Sequence, residues 1–492
     1  MNTRRLIEWI TYLAVFAMAA RISMDTDTWW HLRAGNWIVE NQTIPTMDYF
    51  SYTRLGQLWQ YPGWLVEVPM YWIYSAFGPG GMNLWTAFMV ALTFIFIWHT
   101  LDGDPFLRAF VIILAAAASG VYWAARPYLV TFLFSAIYLW ILEGYRWKGE
   151  AGGKYKLWCL PLFMIFWANS HGGFAVGFIL WGVYIVGELW RILILTKEKR
   201  KESSLISPVD LKRCILLFLI GLAMVVAVCI NPYGWWMLVY PFKTVGIGVL
   251  HDFIQEWQTP DFHSISVQPF IWLLFLTLGV IGASRRRLAL TDFLLVAGFG
   301  YLGLMAGRNL ALFSLVTSPV VVRHATPLFQ EIGTSLGIKF SIPVPTPRWQ
   351  SKLNLVILIL LAIAVLFKVS MIYPEKVNTK VFSDTLPVDA VKFIKEYRPQ
   401  GKMFNSYNWG GYLLWELQEY PVFVDGRTDL YNDEVINEWI QVVQAKEGWM
   451  DVLDHWGVGF VLLEPDRPVV QVLLSEGWNM LYKDKLSIVI SK

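Results

Sequence analysis

Two carboxylates follow directly on the first apolar segment of the chain. The segment runs from Leu6 to Ile22, and Asp25 and Asp27 come after it in the sequence Asp-Thr-Asp-Thr-Trp-Trp-His. A charge inside a bilayer is costly, so carboxylates beside a membrane helix are candidates for function. On an extended segment both side chains would point the same way, as two ligands of a divalent cation such as magnesium or manganese do. On a turn they would diverge, and one would act alone as a general base. The spacing leaves both chemistries open.

Arginines at predicted helix ends are candidates for binding phosphate. Arg126 and Arg308 stand in otherwise apolar surroundings, and a guanidinium offers paired charge-assisted hydrogen bonds to phosphate. Long side chains that reach for the membrane interface are the structural alternative. Arg308 is the stronger candidate because it lies in a tight Gly-Arg-Asn turn. His171, in Asn-Ser-His-Gly-Gly, is a third candidate, although this segment also reads as a glycine turn between two closely packed helices.

Residues 251–263 contain side chains of the types that bind metals. His251, Glu256 and His263 are the candidates, but the run has no compact zinc motif such as His-Glu-x-x-His. Any of them would complete a cation site begun by Asp25 or Asp27. A solvated loop is the alternative.

An Asp-Gly-Arg-Thr-Asp segment near the end of the chain is a candidate for binding an acceptor. Asp425 and Arg427 follow the apolar run Val422–Val424, and α/β sheets place ligands beyond the ends of their strands. An ordinary Asp-Gly turn explains the same residues.

The composition is that of a membrane protein. The chain has 492 residues, of which 56% are hydrophobic and 16% charged, and its mean hydropathy is +0.46. A net charge of +3 gives no reason to expect nucleic acid as a partner. The three cysteines lie in or beside apolar segments, so neither a disulfide framework nor a cysteine metal site is expected.

The apolar segments predict about eleven membrane helices. The predicted spans are 6–22, 83–100, 109–124, 128–143, 157–170, 173–191, 213–230, 269–284, 290–306, 309–323 and 352–372. The close pairs within 109–143, 157–191 and 290–323 could each be re-entrant. A signal peptide is the alternative for the first segment, but no small-residue cleavage site precedes Asp25, which favours a retained helix.

Lysine and arginine concentrate in alternate loops, which predicts the orientation. With Arg4 and Arg5 in the cytoplasm, the other basic loops are cytoplasmic too. These loops contain Arg146, Lys148, Lys154 and Lys156; Lys197, Lys199, Arg200, Lys201, Lys212 and Arg213; Arg285, Arg286 and Arg287; and Arg323, Lys339, Arg348 and Lys352. The candidate site residues fall in the opposite, outer loops or, for Asp425 and Arg427, in the tail after the last span, which helix parity also places outside.

Two amphipathic runs are predicted in the first outer loop. Between residues 27 and 38, Trp30 and Ala34 share an apolar face, and Asp27 would cap the helix at its start. A second run covers 63–77. After the last span, alternating apolar runs predict a small α/β domain, with strands at 422–424, 458–463 and 487–490 and helices at 435–445 and 469–476. The predicted fold is mainly α: a polytopic membrane helix bundle with interface helices and a C-terminal α/β domain.

Several motifs together resemble a group of prokaryotic multi-spanning membrane proteins over nearly the whole chain. They are Asp-x-Asp-Thr-Trp-Trp-His-Leu-Arg-x-Gly, Trp-Ala-Asn-x-His-Gly-Gly, Asn-Pro-Tyr-Gly, Glu-Trp-x-x-Pro-Asp-Phe-His and a tail with Gly-Gly-Tyr and Asp-Gly-Arg. That group is similar to the C-type integral-membrane glycosyltransferases, which include protein mannosyltransferases, aminoarabinose transferases and oligosaccharyltransferases. The resemblance implies a sugar donor on a polyprenyl phosphate or pyrophosphate. It also implies a catalytic base or metal ligand at Asp25 and Asp27. The Trp-Trp-Asp signature of oligosaccharyltransferases is missing, which argues against asparagine glycosylation.

The expected function is transfer of a sugar from a polyprenyl-phosphate donor to a glycan, lipid or protein acceptor. It would occur at the outer face of the cytoplasmic membrane of a prokaryote, with membrane lipid around the enzyme. Residues 1–372 would be the transmembrane glycosyltransferase-like domain and 373–492 an extracytoplasmic domain. A lipid or solute transporter is the first alternative, but alternating access places ionisable residues near the midplane. A membrane assembly subunit is the second alternative.

Overall fold

The protein is mostly helical and ends in a small sheet. The structure, a computed structural model, describes residues 1–148, 154–194, 211–337 and 346–492. The helices of the bundle and its loops are α1 (Thr3–Ala19), α2 (Asp27–Asn41), α3 (Trp64–Thr100), α4 (Pro105–Ser119), α5 (Tyr128–Lys148), α6 (Lys154–Leu157), α7 (Cys159–Ala168), α8 (Ala175–Ile194), α9 (Leu211–Val228), α10 (Tyr240–Val245), α11 (Gly248–Phe253), α12 (Gln268–Ala283), α13 (Leu290–Met305), α14 (Leu310–Ser335) and α15 (Arg348–Ile372). Short 3-10 turns cover Gly120–Tyr122, Gly172–Phe174, Gly234–Leu238, Gln255–Trp257 and Gly307–Asn309.

Each predicted membrane segment overlaps a helix. Among the described residues, seven helices are long and apolar enough to cross a membrane: Trp64–Thr100, Pro105–Tyr122, Tyr128–Trp147, Gly172–Ile194, Leu211–Val228, Gly307–Ser335 and Arg348–Ile372. Three apolar helices are shorter, at Tyr155–Ala168, Gln268–Ala283 and Leu290–Met305. The chain is therefore a multi-pass membrane protein, and the count of about eleven spans stays a prediction.

Helix α3 combines two predicted segments in one bent element. Gly78 has φ 59° and ψ −159°, and Pro79 follows it. A positive φ suits glycine, and proline cannot continue the hydrogen-bond ladder of the preceding turn. The bend separates the amphipathic part, 64–77, from the membrane part, so both predictions for this region are confirmed as helix.

Helix α2 is buried rather than spread on a surface. It packs against α3 on one side and against α18 (Gly410–Glu416) of the C-terminal domain on the other. A Cβ at Gly35 would lie 2.3 Å from the Glu67 carbonyl oxygen, and one at Gly411 would lie 2.6 Å from the Thr26 carbonyl oxygen. Even the polar residue Asn36 is only 6% exposed. The C-terminal domain therefore covers a helix that the sequence alone leaves at the interface.

The C-terminal domain is a four-stranded mixed sheet with helices packed around it. Its strands are β1 (Lys402–Asn405), β2 (Val458–Leu463), β3 (Asn479–Lys483) and β4 (Ile488–Ser491), in the order β1-β2-β4-β3. β1 and β2 are parallel, and the other two pairs are antiparallel. Its remaining helices are α16 (Glu375–Phe382), α17 (Val388–Tyr397), α19 (Thr428–Val443), α20 (Trp449–Trp456) and α21 (Pro468–Ser475), with a 3-10 turn at Tyr407–Trp409.

The strand predicted at 422–424 is wrong. Val422 forms only a single bridge, to Ser51 of the first loop. The run is apolar because Val422, Phe423 and Val424 are all fully buried. It joins the C-terminal domain to residues near the start of the chain, and sequence periodicity cannot distinguish this from a strand in a sheet.

A cluster of ion pairs holds the bundle together at the end opposite the C-terminal domain. Arg146 lies 2.6 Å from Asp292 and 3.1 Å from Glu143. Arg323 lies 2.6 Å from the same Asp292 and also pairs with Glu143. The cluster links α5, α13 and α14, so two of the predicted loop cations are internal structural groups.

Candidate active site

A cavity of about 870 Å³ lies where the first loop, the helix corners and the C-terminal domain meet. Most of the predicted site residues line it. The polar and aromatic lining includes Asp25, Asp27, Trp30, His31, Tyr61, Arg126, Tyr128, His171, Tyr240, Glu256, Trp257, Arg308, Tyr407, Thr428 and Asp429. A larger cavity, of about 1440 Å³, is lined by none of the predicted site residues. The first cavity is therefore the candidate active site.

Arg126 is the centre of the charged part of the cavity. Its guanidinium lies 3.1 Å from Asp25 Oδ2, 3.1 Å from Asp27 Oδ2 and 3.2 Å from Glu256 Oε2. Burial alone would lower the pKa of Arg126, but the carboxylates of Asp25, Glu256 and Asp27 together raise it well above the ordinary value. Arg126 thus keeps its charge and gathers three carboxylates from distant parts of the chain.

Glu256 links Arg126 to the second guanidinium. Its Oε1 lies 3.9 Å from Arg308 Nη1, and the Arg308 guanidinium stands 4.3 Å from the centre of the Trp257 ring. Burial would raise the pKa of Glu256, but Arg126 and Arg308 lower it to about 2. Glu256 is therefore ionised at neutral pH. We call Asp25, Asp27, Arg126, Glu256 and Arg308 the guanidinium pole.

The two carboxylates of the first loop have different surroundings. Thr26 is the N-cap of α2, and its side chain makes no capping hydrogen bond, so the cap predicted for Asp27 is wrong. Instead, Asp25 Oδ1 accepts a hydrogen bond from the Asp27 backbone N–H at 2.9 Å. Burial raises the pKa of Asp27 to about 7; Arg126 opposes this shift, while Asp25 and Glu256 add to it. Asp25 fixes the start of the helix, and Asp27 changes charge near neutral pH.

His171 is a neutral hydrogen-bond donor. Its Nδ1 accepts from the Gly173 backbone N–H at 3.0 Å and lies 2.8 Å from Thr131 Oγ1. Burial, followed by the charges of Arg308 and Arg126, lowers the pKa of His171 to about 3. Because Nδ1 accepts, the proton of the neutral ring is assigned to Nε2. His171 lies in a tight glycine turn, where a Cβ at Gly172 would lie 2.5 Å from Tyr240 Cε1. Its side chain also lines the cavity.

Asp425 and Arg427 are not at the cavity surface. Both side chains are 0% exposed, and Arg427 lies 2.7 Å from Asp425 and 2.6 Å from Asp48 of the first loop. They join the C-terminal domain to the first loop, which explains the Asp-Gly-Arg spacing without any ligand. Gly426 and Thr428, between and after them, do line the cavity. A Cβ at Gly426 would lie 1.9 Å from Asp27 Oδ1, so this backbone directly supports Asp27.

The residues predicted to hold a metal ion do not fit one as they are placed. Asp25, Asp27 and Glu256 are together, but their oxygens converge on Arg126. His263 lies on an exposed loop and does not line the cavity; the side chain of His251 is outside the described part of the chain. No group of three histidine, cysteine or acidic side chains among the described residues is arranged for a metal ion.

A second set of polar side chains lines the cavity, and the sequence did not single it out as a site. His31 Nδ1 lies 2.8 Å from Glu67 Oε1, and both side chains are almost fully buried. Tyr240 Oη donates to Asp429 Oδ2 at 3.2 Å. Burial raises the pKa of Asp429 to about 6. Two sequence signals could have identified these residues: His31 belongs to the Trp-Trp-His motif, and Asp429 ends the Asp-Gly-Arg-Thr-Asp run.

One side of the cavity is apolar and lies between two helices of the bundle. Its side chains include Ile179 on α8 and Met305 on α13, which are 43% and 52% exposed. The two helices touch at another level, where a Cβ at Gly187 would lie 2.0 Å from Thr291 Oγ1. At 1.5 Å per residue, this contact is about 12 Å along α8 from Ile179. Helices α8 and α13 thus contact each other near Gly187 and Thr291, and they flank the cavity near Ile179 and Met305.

Comparison with solved structures shows the fold. No protein-family model and no curated protein sequence matches the chain. The oligosaccharyltransferase of Archaeoglobus fulgidus, tethered to an acceptor peptide containing the NVT sequon, has a TM-score of 0.57 at 13% identity, covering 98% of this chain and 74% of that one.

Two further structures of that enzyme agree. The complex of A. fulgidus AglB with an inhibitory peptide and a dolichol-phosphate has a TM-score of 0.54 at 11% identity, covering 93% of this chain and 69% of the other. The complex with Zn and sulfate has a TM-score of 0.53 at 12% identity, with 98% and 73% covered. The chain has the fold of this archaeal enzyme, which confirms the predicted resemblance to C-type membrane glycosyltransferases at the level of the fold.

Proposed function

We propose that this protein is a glycosyltransferase that moves a sugar from a polyprenyl-phosphate donor to an acceptor hydroxyl at the outer face of the membrane. The observation that carries the proposal is a single cavity that combines two guanidiniums, a carboxylate with a pKa of about 7 and an apolar side between bundle helices. A lipid-linked sugar needs these features together: cations for its phosphate, a base for the acceptor and an apolar path for its chain.

Arg126 and Arg308 are the groups proposed to bind the donor phosphate. Arg308 is the more available of the two, because its nearest carboxylate oxygen is 3.9 Å away and its other contact is the face of Trp257. A planar guanidinium held on an aromatic ring presents two parallel N–H groups to a phosphate. His171, with Nε2–H available, adds a neutral donor to the same wall.

Asp27 is proposed as the general base. In the reaction, the acceptor oxygen attacks the anomeric carbon, and the bond between that carbon and the phosphate oxygen breaks. The electron pair leaves with the phosphate, and the hydroxyl proton passes to the Asp27 carboxylate. A base is most effective when its pKa lies near the working pH, as the value of about 7 for Asp27 does.

The apolar side of the cavity is the proposed path of the prenyl chain. Ile179 and Met305 lie between α8 and α13, where a hydrocarbon tail would leave the cavity for the bilayer. A dolichol-phosphate is present in one of the archaeal complexes that share the fold. That observation concerns the archaeal enzyme and supports the same class of donor here.

We infer that Arg126 supplies the positive charge that a divalent cation would otherwise bring to Asp25, Asp27 and Glu256. The carboxylate oxygens of Asp25, Asp27 and Glu256 already point at the Arg126 guanidinium, so a cation could bind between them only after Arg126 moved away. Transfer is expected to continue in excess chelator. Loss of transfer in chelator, with recovery on adding magnesium or manganese, would show instead that the carboxylates rearrange to bind a metal.

The proposed arrangement in the membrane follows from the basic loops. Residues 1–372 form the membrane glycosyltransferase-like domain, with a cytoplasmic N-terminus, and residues 373–492 form an extracytoplasmic domain. The membrane is the cytoplasmic membrane of a prokaryote.

The test is sugar transfer by the purified protein in lipid nanodiscs. The donor is a polyprenyl phosphate carrying a radiolabelled sugar, and the acceptor is an extract of envelope glycans. Covalent transfer by the wild type that is lost in Asp27→Asn supports the proposal. Movement of the donor across vesicle membranes without transfer would identify a flippase. If the protein shows neither transfer nor transport, an assembly subunit is favoured.

A further inference from the structure

We propose that a second part of the cavity, formed by His31, Tyr61, Tyr240 and Asp429, binds the acceptor, and that the acceptor is a saccharide without a negative charge. We call these four residues the acidic pole. The inference rests on the proposed function and adds to it, because it assigns the second substrate to residues that the guanidinium pole does not use.

Asp429 presents a carboxylate to the cavity from the C-terminal domain. Its one hydrogen bond to another side chain is from Tyr240 Oη, at 3.2 Å, and no salt bridge to it is formed within the described ranges. A carboxylate has room for several hydrogen bonds, so most of its capacity is open to a ligand. Hydroxyl groups of a sugar are suitable donors, and bonds to an ionised acceptor are the stronger kind.

His31 faces the same space. Its ring is 2% exposed and lines the cavity. Glu67 holds Nδ1 at 2.8 Å, and Nε2 has no hydrogen-bond partner in the part of the chain that the structure describes. Since a carboxylate orients the ring of this buried side chain through Nδ1, Nε2 is the nitrogen left to meet a polar ligand in the cavity.

Aromatic rings complete the wall. The Tyr61 ring lies 5.8 Å from the His31 ring and 5.1 Å from the Trp30 ring, measured between centroids. The Tyr240 ring rests against Gly172, where a side chain would collide with it. Such rings offer apolar faces together with hydroxyl groups, which suits the alternating C–H and O–H surface of a sugar.

Charge decides the class of acceptor. The cations that line the cavity are Arg126, Arg308 and Arg467. Arg126 and Arg308 belong to the guanidinium pole and face its carboxylates. Arg467 lies 2.9 Å from Glu464. Arg427, whose charge reaches this region, is fully buried between Asp48 and Asp425. An acceptor with a carboxylate or phosphate at the acidic pole would face the Asp429 carboxylate, while each of these guanidiniums is already paired with a carboxylate, so a neutral or amino sugar is favoured.

The test measures the two substrates separately, by ligand binding rather than by turnover. Methyl α-mannoside, methyl glucosaminide and methyl glucuronide are the acceptor probes, followed by saturation-transfer NMR on the full-length protein in nanodiscs. A polyprenyl phosphate without sugar is the donor probe. The variants are Asp429→Asn and Tyr240→Phe at the acidic pole and Arg126→Lys at the guanidinium pole. Asp389→Asn, which changes an exposed carboxylate of the same domain, is the matched control.

We expect the neutral or amino glycoside to bind the wild type and to lose about tenfold or more in affinity in Asp429→Asn. Tyr240→Phe should weaken it less, with melting temperatures near that of the wild type. Polyprenyl phosphate should bind both variants normally and bind Arg126→Lys poorly. Unchanged glycoside binding in Asp429→Asn, or tighter binding of the glucuronide than of the neutral glycoside, would overturn this inference. Unchanged polyprenyl-phosphate binding in Arg126→Lys would remove Arg126 from the proposed donor site and leave the acidic pole standing.

Discussion

At the scale of single residues, the site is built around one cation. Arg126 contacts carboxylates from the first loop and from the loop that carries Glu256. Substituting one of these carboxylates changes the charge of the whole group. The effect of each substitution therefore depends on the protonation of its neighbours.

Asp27→Asn should reduce sugar transfer by about 100-fold or more, the usual contribution of a positioned general base. In the wild type, transfer should rise with pH through about 7, as Asp27 loses its proton, and then level off. The rising limb should be missing from the residual activity of the variant. A wild-type rate that is flat between pH 5 and 9 would contradict the assignment.

Rising pH should lower the stability contributed by Asp27, whereas it raises the rate of transfer. The pKa of Asp27 is raised from 3.8 to about 7 in the fold, so the folded state binds a proton that the unfolded state has lost between these values. The stability contributed by this group therefore falls as pH rises through this window. Asp27→Asn removes that loss, and its melting temperature at pH 8 should equal or exceed that of the wild type.

Arg308→Lys should weaken binding of polyprenyl phosphate while leaving the melting temperature unchanged. Lysine keeps the charge but loses the planar fork and the stacking on Trp257. Arg285→Lys, on the loop predicted to be cytoplasmic, is the control. If Arg308→Ala binds the donor as tightly as the wild type, Arg308 is an interface anchor only.

Sequence reasoning named polar and charged residues that share a cavity, but it did not foresee which of them are buried away from it. Asp25, Asp27, Arg126, His171, Glu256 and Arg308 all line one cavity, because polar groups next to apolar helices gather where water and ligand can reach them. Asp425 and Asp429 stand in the same short segment, yet one is buried against Arg427 and the other faces the cavity. Arg427 also pairs with Asp48, which is far away in the sequence, so the spacing of the segment alone could not show which aspartate is buried.

At the scale of elements, close backbone contacts set the position of the carboxylates. Helix α2 is fixed from two sides, by Gly35 against α3 and by Gly411 against its own N-terminus. Helices were predictable because their apolar segments are long. Strands β1 and β3 were not predicted, since β1 has only four residues and no position of β3 is buried.

Gly426→Ala should reduce transfer by about tenfold to 100-fold, because its methyl group would push Asp27 out of place. The overpacking should also lower stability by about 1–3 kcal/mol. Gly279→Ala, where an added Cβ meets nothing within 4 Å, should leave activity unchanged. Equal transfer by both variants would show that Asp27 tolerates displacement, which a general base does not.

At the scale of the whole molecule, the C-terminal domain and the first loop lie on the same side. Tyr52 Oη donates to the Met403 carbonyl at 3.1 Å, and Thr53 Oγ1 donates to the Phe423 carbonyl at 2.7 Å. The basic loops predict that the first loop is outside, so reporters that work only inside or only outside the membrane, fused after Lys492, should report an outside location. A cytoplasmic readout would place the cavity on the cytoplasmic side and remove the proposed outer-face reaction.

The pairing of Asp48 with Arg427 also sets the order in which the protein can be assembled. The two residues are 379 positions apart, and a chain is synthesised from its N-terminus. The ribosome therefore delivers the first loop and every membrane helix before the cation that Asp48 requires exists. Thr428, Asp429 and Arg467, which line the cavity, are made later still. A nascent chain that stops before Arg427 has its predicted membrane helices but no closed site, so the complete cavity exists only once translation is nearly finished.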